Sequence, residues 1–448
     1  MEINIKIPIE ANELIHTLQS HGHSAYVVGG CVRDSILNRP IHDWDICTSA
    51  TPDQMLTIFK DYKIIETGLQ HGTVTVVVSG NAYEITTYRI DGTYSDNRRP
   101  DSVSFTNNLI EDLKRRDFTI NAMAYNDNEG LIDPFHGLYD IEDKVIKCVG
   151  SPEERFNEDA LRILRAIRFS CQLDFSIHPS IGWCIGYTDI KTNLNNISIE
   201  RINSEFTKMI ICKNFYDRLA KHYSLFTQII PTLGNLVGFK QNNPYHEYDV
   251  FLHTYHALEK CESDDLIVKL AVFFHDFGKP HCYQDGDDGI RHFKGHGRIS
   301  AEITNNIMRQ LRFDNETREK VIELVYYHDA TFEVGKKYVK RWLNKIGEEQ
   351  FRRLLEVRKA DIKGQKSTIE KERIVKVSNI ENLLNEVVKD NECFSLKELT
   401  INGQDLIDIG YKSGKKLGNT LNTILQMVID EDIPNDREKL LQEAKRRI

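Results

Sequence analysis

The sequence predicts an α+β fold, in which a small mixed sheet with its helices lies at the N-terminal end and an all-α remainder follows. Two patterns carry this prediction. Over residues 72–90, GTVTVVVSG and AYEITTYRI alternate between apolar and polar residues, which is typical of strands in one sheet. From about residue 150 to residue 448 the pattern is helical almost throughout, interrupted by glycine, Asn-Pro and Asp-Gly turns.

Helices and strands mix along the first part of the chain. Thr51 and Pro52 are expected to cap one helix and to open its first turn. The predicted helices are 11–22, VRDSIL (32–37), TPDQMLTIFK (51–60) and an apolar helix within RRDFTINAMAY (115–125). The other predicted extended segments are AYVVGG (25–30), DWDICTSA (43–50), YKIIET (62–67) and LIDPFHG (131–137).

Composition places the chain among soluble globular proteins. Its 448 residues are 40% hydrophobic and 28% charged, which favours two to four domains. No stretch of eighteen apolar residues is present, and the N-terminus is charged without a signal-peptide core, so we expect no membrane contact. The nine cysteines, without a C-x-x-C pair, indicate reduced thiols and a cytoplasmic location. The net charge of −9 disfavours coating of nucleic acid by bulk charge, but it permits a local basic groove.

The first candidate site combines a glycine turn, an arginine and a D-x-D motif. In a strand Asp43 and Asp45 point to the same face, where two carboxylates repel each other unless a cation lies between them. Mg²⁺ prefers such carboxylates together with phosphate oxygens. Gly30 and its neighbour Gly29 let the backbone approach a triphosphate, and Arg33 can add a bidentate contact. The alternative is a tight turn with two exposed aspartates, and the combination favours the metal site.

Two further carboxylates have open roles. Glu84 lies on a later strand and is either a third metal ligand or a polar residue on the solvent face. Asp117 follows Arg115 and Arg116, and it is either a helix N-cap or part of a phosphate or ribose contact.

The segment NEDALRILRAIRF (157–169) predicts a base-reading helix. Asp159, Arg162, Arg165 and Arg168 recur every three residues and form a slanting stripe. A carboxylate that accepts from an amino group, beside a guanidinium that donates to a ring nitrogen, fits cytosine and adenine but not uracil or guanine. Asp159 and Arg162 are candidates for that pair, with the other arginines on phosphates. A solvated charged face with weak ion pairs is the alternative.

These motifs, GGCVRD, DWD, RRD and EDALRILRAIRF, together with ERINSEFTKMI (200–210), resemble class II tRNA nucleotidyltransferases, whose wider relatives are bacterial poly(A) polymerases. The resemblance covers roughly residues 20–210. It implies a DNA-polymerase-beta-like head followed by helical neck, body and tail domains. It also implies addition of C, C and A to the 3′ end of tRNA from CTP and ATP, with release of pyrophosphate. Asp43 and Asp45 would bind Mg²⁺, and Gly30, Arg33 and Arg116 would contact the nucleotide. Asp159 and Arg162 would read the base, with Arg165 and Arg168 nearby.

The product and the domain limits are expectations of the same kind. YRIDGTYSDNRRPDSVSF (88–105) is similar to the full-length loop of enzymes that add A, and no long arginine-rich extension of a poly(A) polymerase follows EAKRRI at the end. The alternatives are A-only addition or a poly(A) polymerase. We expect a head over 1–145, a neck over 146–240, a histidine–aspartate domain over 241–370 and a tRNA-binding tail over 371–448, with Lys412, Lys415 and Lys416 as a modest basic patch.

A second candidate site is a series of histidines and aspartates between 243 and 365. It resembles the HD phosphohydrolase superfamily through His253, His275, Asp276 and Asp361. His296 and His328 are weaker candidates for a second divalent metal, and Lys279 could contact phosphate. The domain either hydrolyses phosphates or only packs and binds metal. A phosphohydrolase with an RNA-binding head, or a pure RNA-binding protein, are alternatives from other classes. We expect no obligate protein partner.

Overall fold

The structure is a computed structural model that describes residues 3–94, 97–98, 100–187, 189–244, 247–365 and 367–448. The chain forms two units, Met1–Ile229 and Ile230–Ile448, and this division falls inside the predicted neck. Within the predicted loop 88–105, Ser95, Asp96 and Arg99 lie outside the described residues. Among the described helices, none is long and apolar enough to cross a membrane.

The strands are concentrated in the first unit. In chain order they are β1 (Ala25–Val28), β2 (Ile46–Thr48), β3 (Lys63–Ile65), β4 (Thr73–Val78), β5 (Asn81–Thr87), β6 (Arg89–Asp91), β7 (Val103–Phe105), β8 (Ala124–Asn126), β9 (Gly130–Ile132), β10 (Val145–Ile146), β11 (Ser176–Ile177), β12 (Gln284–Asp285) and β13 (Arg291–His292).

Helices occur in both units and dominate the second. In the first unit they are α1 (Ile9–Ser20), α2 (Gly30–Ile36), α3 (Pro52–Ile58), α4 (Leu109–Lys114), α5 (Gly137–Glu142), α6 (Pro152–Glu158), α7 (Leu161–Leu173), α8 (Pro179–Tyr187), α9 (Ile199–Ile210), α10 (Phe215–Lys221) and α11 (Tyr223–Ile229). In the second they are α12 (Val250–Glu259), α13 (Leu266–Phe274), α14 (His296–Gln310), α15 (Asn315–Tyr327), α16 (Lys336–Ile346), α17 (Glu348–Lys363), α18 (Ser367–Lys389), α19 (Gly403–Asp408), α20 (Lys415–Ile429) and α21 (Arg437–Lys445).

The main sheet is mixed, with strand order β3-β4-β5-β2-β1-β8-β9. The pair β2/β5 is parallel, whereas β1/β2, β1/β8 and β4/β5 are antiparallel. Along β5 the residues Tyr83, Ile85 and Thr87 are buried and alternate with more exposed ones, as the period-two pattern predicts. A mixed sheet with helices followed by a mainly helical chain confirms the predicted fold class.

Local chemistry explains where several elements begin. Thr51 accepts a hydrogen bond from the backbone N–H of Gln54, whose side chain accepts one in return, so the predicted cap of α3 is confirmed as a capping box. Gly29 has φ 83°, a left-handed conformation that glycine adopts without strain, and it lets β1 turn into α2.

The predicted apolar helix after Asp117 is wrong. Thr119–Asn121 form one short 3₁₀ turn, and Ala124–Asn126 then form β8. The whole segment 118–126 is buried, and a fully buried apolar run does not show by its periodicity whether it is helix or strand. Asp117 is therefore not a helix N-cap.

The second unit is built around α13, which is almost entirely buried and packs against α12, α15 and α17. A separate apolar cluster holds the last helices together, with Leu406, Ile424 and Leu440 at its centre. All nine cysteines, each within the described ranges, are free thiols, as the scattered spacing predicts.

Candidate active sites

The first unit contains a cavity of about 400 Å³ at the N-terminal end of α2. Its walls include the glycine turn (Gly29 and Gly30), the side chains of Asn121 and Phe169, and the aspartates Asp45, Asp117 and Asp159. Six arginines also line it: Arg33, Arg115, Arg116, Arg162, Arg165 and Arg201. This concentration of guanidinium groups suits a polyanion such as a triphosphate.

The glycine turn is held close to Arg116. The conformation of Gly29, with φ 83°, favours glycine, and a Cβ added there would lie 3.0 Å from Arg116 Nη1 and crowd the guanidinium. Arg116 Nη2 lies 3.3 Å from Asp112 Oδ2, and its Nε is buried without a hydrogen-bond partner among the described residues. Arg116 is thus aimed at the turn with donor capacity that its protein contacts do not use.

Arg33 is fixed by three hydrogen bonds. Its Nε and Nη2 donate to Asp34 at 3.0 and 2.7 Å, and its Nη1 donates to Asn121 Oδ1 at 2.6 Å. The side chain is only 8% exposed. Arg33 therefore lines the cavity in a fixed orientation beside the glycine turn.

The D-x-D motif lies next to the sheet rather than within it. The prediction that both aspartates lie within a strand is wrong, because β2 begins at Ile46, although the carbonyl of Asp45 still accepts from the Val28 N–H of β1 at 3.0 Å. Ile46 pairs with Ile85 in parallel register, so Asp45 and Glu84 are neighbours on adjacent chains of the sheet. Asp43 and Asp45 are exposed, and of the two only Asp45 lines the cavity.

The groups around Asp45 have opposite effects on its pKa. Partial desolvation raises the pKa of Asp45, Arg116 opposes this rise, and the negative charges of Glu84 and Asp43 add to it. Burial is the main cause of the raised pKa and the neighbouring carboxylates add to it, so a cation bound here would stabilise the ionised form of Asp45. The oxygen donors of Asp43, Asp45 and Glu84 are the ligand type that Mg²⁺ prefers, so these residues fit that ion.

Asp117 and Arg165 form a tight ion pair inside the cavity. Arg165 Nε and Nη2 lie 2.7 and 2.6 Å from Asp117 Oδ2. Burial alone would raise the pKa of Asp117, but Arg165 and Arg162 lower it to about 2. Asp117 therefore remains ionised at neutral pH and holds Arg165 in place.

The predicted base-reading pair is arranged differently from the predicted stripe. Asp159 lies before the helix, because α7 begins at Leu161 and Asp159 is extended with φ −139°. Its carboxylate is bound by Arg201, whose Nη2 is 2.8 Å from Oδ2. Arg162 donates instead to Glu158 Oε2 at 2.5 Å and to the carbonyl of Arg115 at 2.9 Å. Asp159 and Arg162 nevertheless line the same cavity.

Arg168 does not line this cavity. It is 8% exposed, and its Nε donates to Glu205 of α9 at 2.5 Å. Arg168 thus ties α7 to α9, and the expectation that it contacts phosphate is not supported by its position.

Phe169 organises the arginines of this region. The Cζ atoms of Arg33, Arg165 and Arg168 lie 5.0, 5.4 and 4.0 Å from its ring centroid. Distances of this size allow favourable cation–π contacts. The ring is 5% exposed and packs edge to face on Phe118. One aromatic side chain therefore supports cations from α2 and α7 together.

Four residues at this site were missed by the sequence reasoning. Arg201 lies within ERINSEFTKMI (200–210), where the motif was recognised but no residue was singled out. Asn121 and Phe169 are an ordinary amide and an ordinary apolar residue in the sequence, and only the fold brings them to Arg33. Asp112 offered a usable signal, because an acidic residue four positions before Arg116 on a helix pairs with it.

The second unit brings all the predicted histidines and aspartates together. His253 lies on α12, His275 and Asp276 follow α13 directly, and Asp361 lies on α17. His296 begins α14, and His328 follows α15. All six side chains are buried. His253 Nε2 and His275 Nε2 are 3.1 Å apart, and His296 Nε2 and His328 Nε2 are 3.0 Å apart.

Each imidazole is held in one tautomer by a backbone carbonyl. The Nδ1 atoms of His275, His296 and His328 lie 2.7, 2.9 and 2.6 Å from the carbonyl oxygen three residues earlier. His253 Nδ1 lies 3.1 Å from the carbonyl of Gly364. A carbonyl oxygen only accepts, so each Nδ1 carries a proton, and each imidazole in its neutral form presents the lone pair of Nε2 to the centre. Metal-binding histidines are oriented in this way.

Asp276 lies between two groups of these ligands. One group is His253, His275 and Asp276, and the other is Asp276, His296 and His328, with the ligand atoms of each group within 4.8 Å of one another. Asp361 Oδ1 lies 3.1 Å from His253 Nε2 and extends the first group. Lys279 Nζ lies 2.6 Å from Asp276 Oδ2. The imidazole and carboxylate donors therefore fit one or two divalent cations.

Electrostatics keep the carboxylates of this cluster ionised. Burial opposes ionisation of Asp276, but His275 and Lys279 hold its pKa well below the usual range. The pKa of Asp361 is lowered in the same way, mainly through His253. Burial and the neighbouring His328 lower the pKa of His296 to about 4, so this imidazole is neutral and can ligate.

Gly278 allows the close packing behind the cluster. A Cβ at this position would lie 2.6 Å from the backbone nitrogen of Ser300 and 2.7 Å from the carbonyl oxygen of His296. Ser300 Oγ accepts the Gly278 N–H at 2.8 Å. The glycine after the His275–Asp276 pair thus brings α14, with His296, against the end of α13.

Three sequence models of known families match this chain. The poly A polymerase head domain matches residues 25–147, and the probable RNA and SrmB-binding site of polymerase A matches residues 187–236. The model named tRNA nucleotidyltransferase domain 2 (putative) matches residues 296–444.

Curated relatives match the chain over nearly its whole length. A CCA-adding enzyme of Lactobacillus helveticus is 35% identical over 439 residues, which are 97% of each chain. A CCA-adding enzyme of Ligilactobacillus salivarius is 34% identical over 98% of this chain and 96% of the relative. The crystal structure of the Bacillus stearothermophilus CCA-adding enzyme in complex with CTP covers 99% of this chain and 98% of its own, with 28% identity and a TM-score of 0.71. From these matches over both units, the chain belongs to the family of CCA-adding enzymes.

Proposed function

We propose that this chain adds C, C and A from CTP and ATP to the 3′ end of tRNA, with Mg²⁺ and with release of pyrophosphate. One observation carries the proposal: the glycine turn with Arg33 and Arg116, Asp45 of the D-x-D motif, and the pair Asp159 and Arg162 line one cavity of about 400 Å³. A cavity with groups for a triphosphate and groups for the pairing edge of a base suits nucleotide transfer better than RNA binding alone. The structure of the Bacillus stearothermophilus relative with CTP supports this choice of substrate.

The residues of the cavity divide the work between the two ends of the nucleotide. Arg33 and Arg116 bind the triphosphate beside the glycine turn and stabilise the negative charge that develops on the departing pyrophosphate. Asp159 accepts from the amino group of cytosine or adenine. Arg162 uses three of its five N–H groups on protein oxygens, and it donates another to the ring nitrogen.

Asp43 and Asp45, with Glu84 beside them, would hold the magnesium. When bound, the ion supplies a positive charge at the phosphate oxygens. In the reaction the 3′-hydroxyl oxygen of tRNA bonds to the α-phosphorus, the bond to pyrophosphate breaks, and the hydroxyl proton is lost to solvent. Lys412, Lys415 and Lys416 are exposed and offer a surface for tRNA phosphates, although Lys416 also contacts the carbonyl of Ile448.

The test is nucleotide incorporation into tRNA that lacks its last three residues. With CTP alone we expect two added residues, and with CTP and ATP three. Asp45→Asn should abolish incorporation, whereas Asp53→Asn, an exposed aspartate on α3, should retain it. Absence of incorporation with every nucleotide mixture would contradict the transferase proposal, and addition of A only to tRNA ending in CC would favour the A-adding alternative.

We propose a second activity for the predicted domain 241–370, the hydrolysis of phosphate esters at the histidine–aspartate cluster. The observation behind it is that four Nε2 lone pairs and two carboxylates meet in one buried place. Divalent metals bound there would activate water near neutral pH. A cluster that served packing alone would have no reason to direct every imidazole nitrogen acceptor inward. We also propose the domain limits given above, with a head over 1–145, a neck over 146–240, the histidine–aspartate domain over 241–370 and a tail over 371–448.

The second activity is tested by metal binding and by phosphate release. In equilibrium dialysis the full chain should bind about two Mn²⁺ ions at this cluster, in addition to any bound at Asp43 and Asp45, as expected for a dinuclear site. His275→Asn should lower this number and abolish phosphate release without affecting CCA addition. His281→Asn, an exposed histidine nearby, is the matched control and should behave like the parent chain. If His275→Asn left the number of bound Mn²⁺ ions unchanged, the second activity would be refuted.

A further inference from the structure

A second cavity adjoins the histidine–aspartate cluster. The cavity at the cluster, here the metal cavity, has a volume of about 310 Å³ and includes Asp276, Lys279 and His328 in its wall. The adjoining side cavity has a volume of about 360 Å³. Asp329, Asp361 and Gln365 line both cavities, so they share a wall that contains a candidate metal ligand.

The side cavity carries three cationic side chains: Arg358, Arg373 and Lys376. Arg373 Nη1 donates to Gln365 Oε1 at 2.6 Å, and Gln365 Nε2 donates to Asp361 Oδ1 at 3.0 Å. Arg358 Nη1 lies 3.8 Å from Asp361 Oδ2 and donates to the carbonyl of His328 at 2.5 Å. A continuous set of polar contacts therefore links the cluster to the cations beside it.

Among the described residues that line the side cavity, the cations outnumber the carboxylates. Asp329 and Asp361 are the acidic residues of the side-cavity wall, against the three cations. Arg358 Nε is buried without a hydrogen-bond partner among the described residues. A metal ion on Asp361 would leave the side cavity more positive still. Its charge thus suits an anion that is separate from the group bound in the metal cavity.

The rest of the side cavity is apolar. Phe332, Val377 and Ile380 contribute buried side chains, and Arg358 Cζ lies 5.4 Å from the centroid of the Phe332 ring. Apolar surface beside convergent cations is typical of sites for organic phosphates. A free inorganic ion would not need such a surface.

We infer that the second site acts on a nucleotide-sized phosphate monoester that carries a second anionic group. The phosphate to be cleaved lies in the metal cavity, and the second anionic group lies in the side cavity near Arg373 and Lys376. This rests on the proposed hydrolase activity. A water oxygen bonds to phosphorus, the ester P–O bond breaks, and a proton from the water ends on the leaving alkoxide oxygen, while the second group is unchanged.

The experiment compares adenosine 3′,5′-bisphosphate with adenosine 3′-monophosphate on the full chain. Two readouts are phosphate release with Mn²⁺ and calorimetric binding in the presence of chelator. The bisphosphate should be preferred by about fivefold in both, the effect of one modest ion pair. Lys376→Glu should remove the preference and leave hydrolysis of the monophosphate intact. Lys371→Glu, which makes the same charge change at an exposed site of α18 outside the cavity, should retain the preference.

The outcomes separate the inference from the activity on which it rests. Hydrolysis of both compounds without preference would overturn the inference and leave the hydrolase proposal standing. Equal loss in both lysine variants would also overturn it, because bulk charge would then explain the effect. A chain that releases no phosphate from either compound in the presence of Mn²⁺ would refute both proposals.

Discussion

At the scale of single residues, the base-reading region depends on a partner that spacing could not reveal. Asp159 and Arg162 were predicted as a pair from their separation in sequence, and both line the cavity. The carboxylate of Asp159 is nevertheless oriented by Arg201, from a helix that begins forty residues later in the chain. The proposed recognition of the base therefore depends on α9 as well as on the N-terminal end of α7.

We predict that Arg201→Gln impairs nucleotide choice more than transfer. Without the guanidinium, Asp159 loses its 2.8 Å contact, and its carboxylate is no longer held toward the base. The preference for CTP and ATP over UTP and GTP should fall by about tenfold, the value of one bidentate contact. Competition between nucleotides in the incorporation assay measures this ratio.

Lys208→Gln is the matched control for Arg201→Gln. Lys208 is exposed on the same helix and does not line the cavity. An Arg201→Gln enzyme with unchanged selectivity would show that Asp159 needs no partner.

Residue chemistry could be predicted where it is concentrated in short motifs. The D-x-D aspartates, Arg33 and the six metal-binding candidates were all named from the sequence, because each stands in a short motif whose residue types and spacing match a phosphate or metal site. Arg168 shows the limit of this reasoning. Its regular spacing from Arg162 and Arg165 suggested a shared role, but a helix turns the third arginine away toward Glu205.

At the scale of elements, α7 is the support of the nucleotide cavity. Its face places Arg165 against Asp117 and Arg168 against Glu205, with Phe169 between the charges. A neutral polarisable ring allows guanidinium groups of like charge to gather nearby. Helix α7 thus uses an apolar residue, Phe169, to position the arginines that are proposed to bind the triphosphate.

We predict that Phe169→Leu raises the KM for CTP by about tenfold with little change in kcat, because the ring positions Arg33 and Arg165 through cation–π contacts worth up to about 2 kcal/mol. Phe169→Tyr keeps an aromatic ring at this position, so its KM for CTP should stay close to that of the parent chain. Steady-state kinetics across CTP concentrations provides the measurement.

Phe175→Leu separates positioning from stability. Phe175 is equally buried, so both leucine variants should lose about 1–2 kcal/mol of unfolding free energy. The difference between the two positions is that three arginine side chains lie over the ring of Phe169. A similar rise in KM for both variants would mean that the effect comes from stability.

The elements that the sequence predicted poorly are those buried on every side. β5 alternates between buried and exposed residues, and its pattern was correctly interpreted. The segment 118–126 is buried throughout, and it was mistaken for a helix. The boundary of β2 was also missed, because a strand and the extended chain that leads into it have the same local pattern.

At the scale of the whole molecule, the fold class and the family follow from sequence pattern, whereas the cooperation between distant segments does not. The ligands of the second site come from five helices or helix ends between residues 253 and 361. Their residue types suggested a metal site, but only the fold shows that Asp276 lies in both groups. The amino-acid composition likewise does not change at the boundary between Ile229 and Ile230, so it does not reveal where the two units divide.

The backbone bonds behind the four histidines have a consequence for how this chain can diverge. Each imidazole is oriented by a main-chain carbonyl, and a substitution at the residue that carries the carbonyl changes the side chain but keeps the acceptor. Packing constrains those positions instead, because Val272 and Val325 are buried and a Cβ at Gly364 would lie 2.9 Å from the backbone nitrogen of Ala257. A change of side chain at these positions therefore acts through packing, and the orientation of the four rings is lost only when the imidazoles are replaced or the helix ends move.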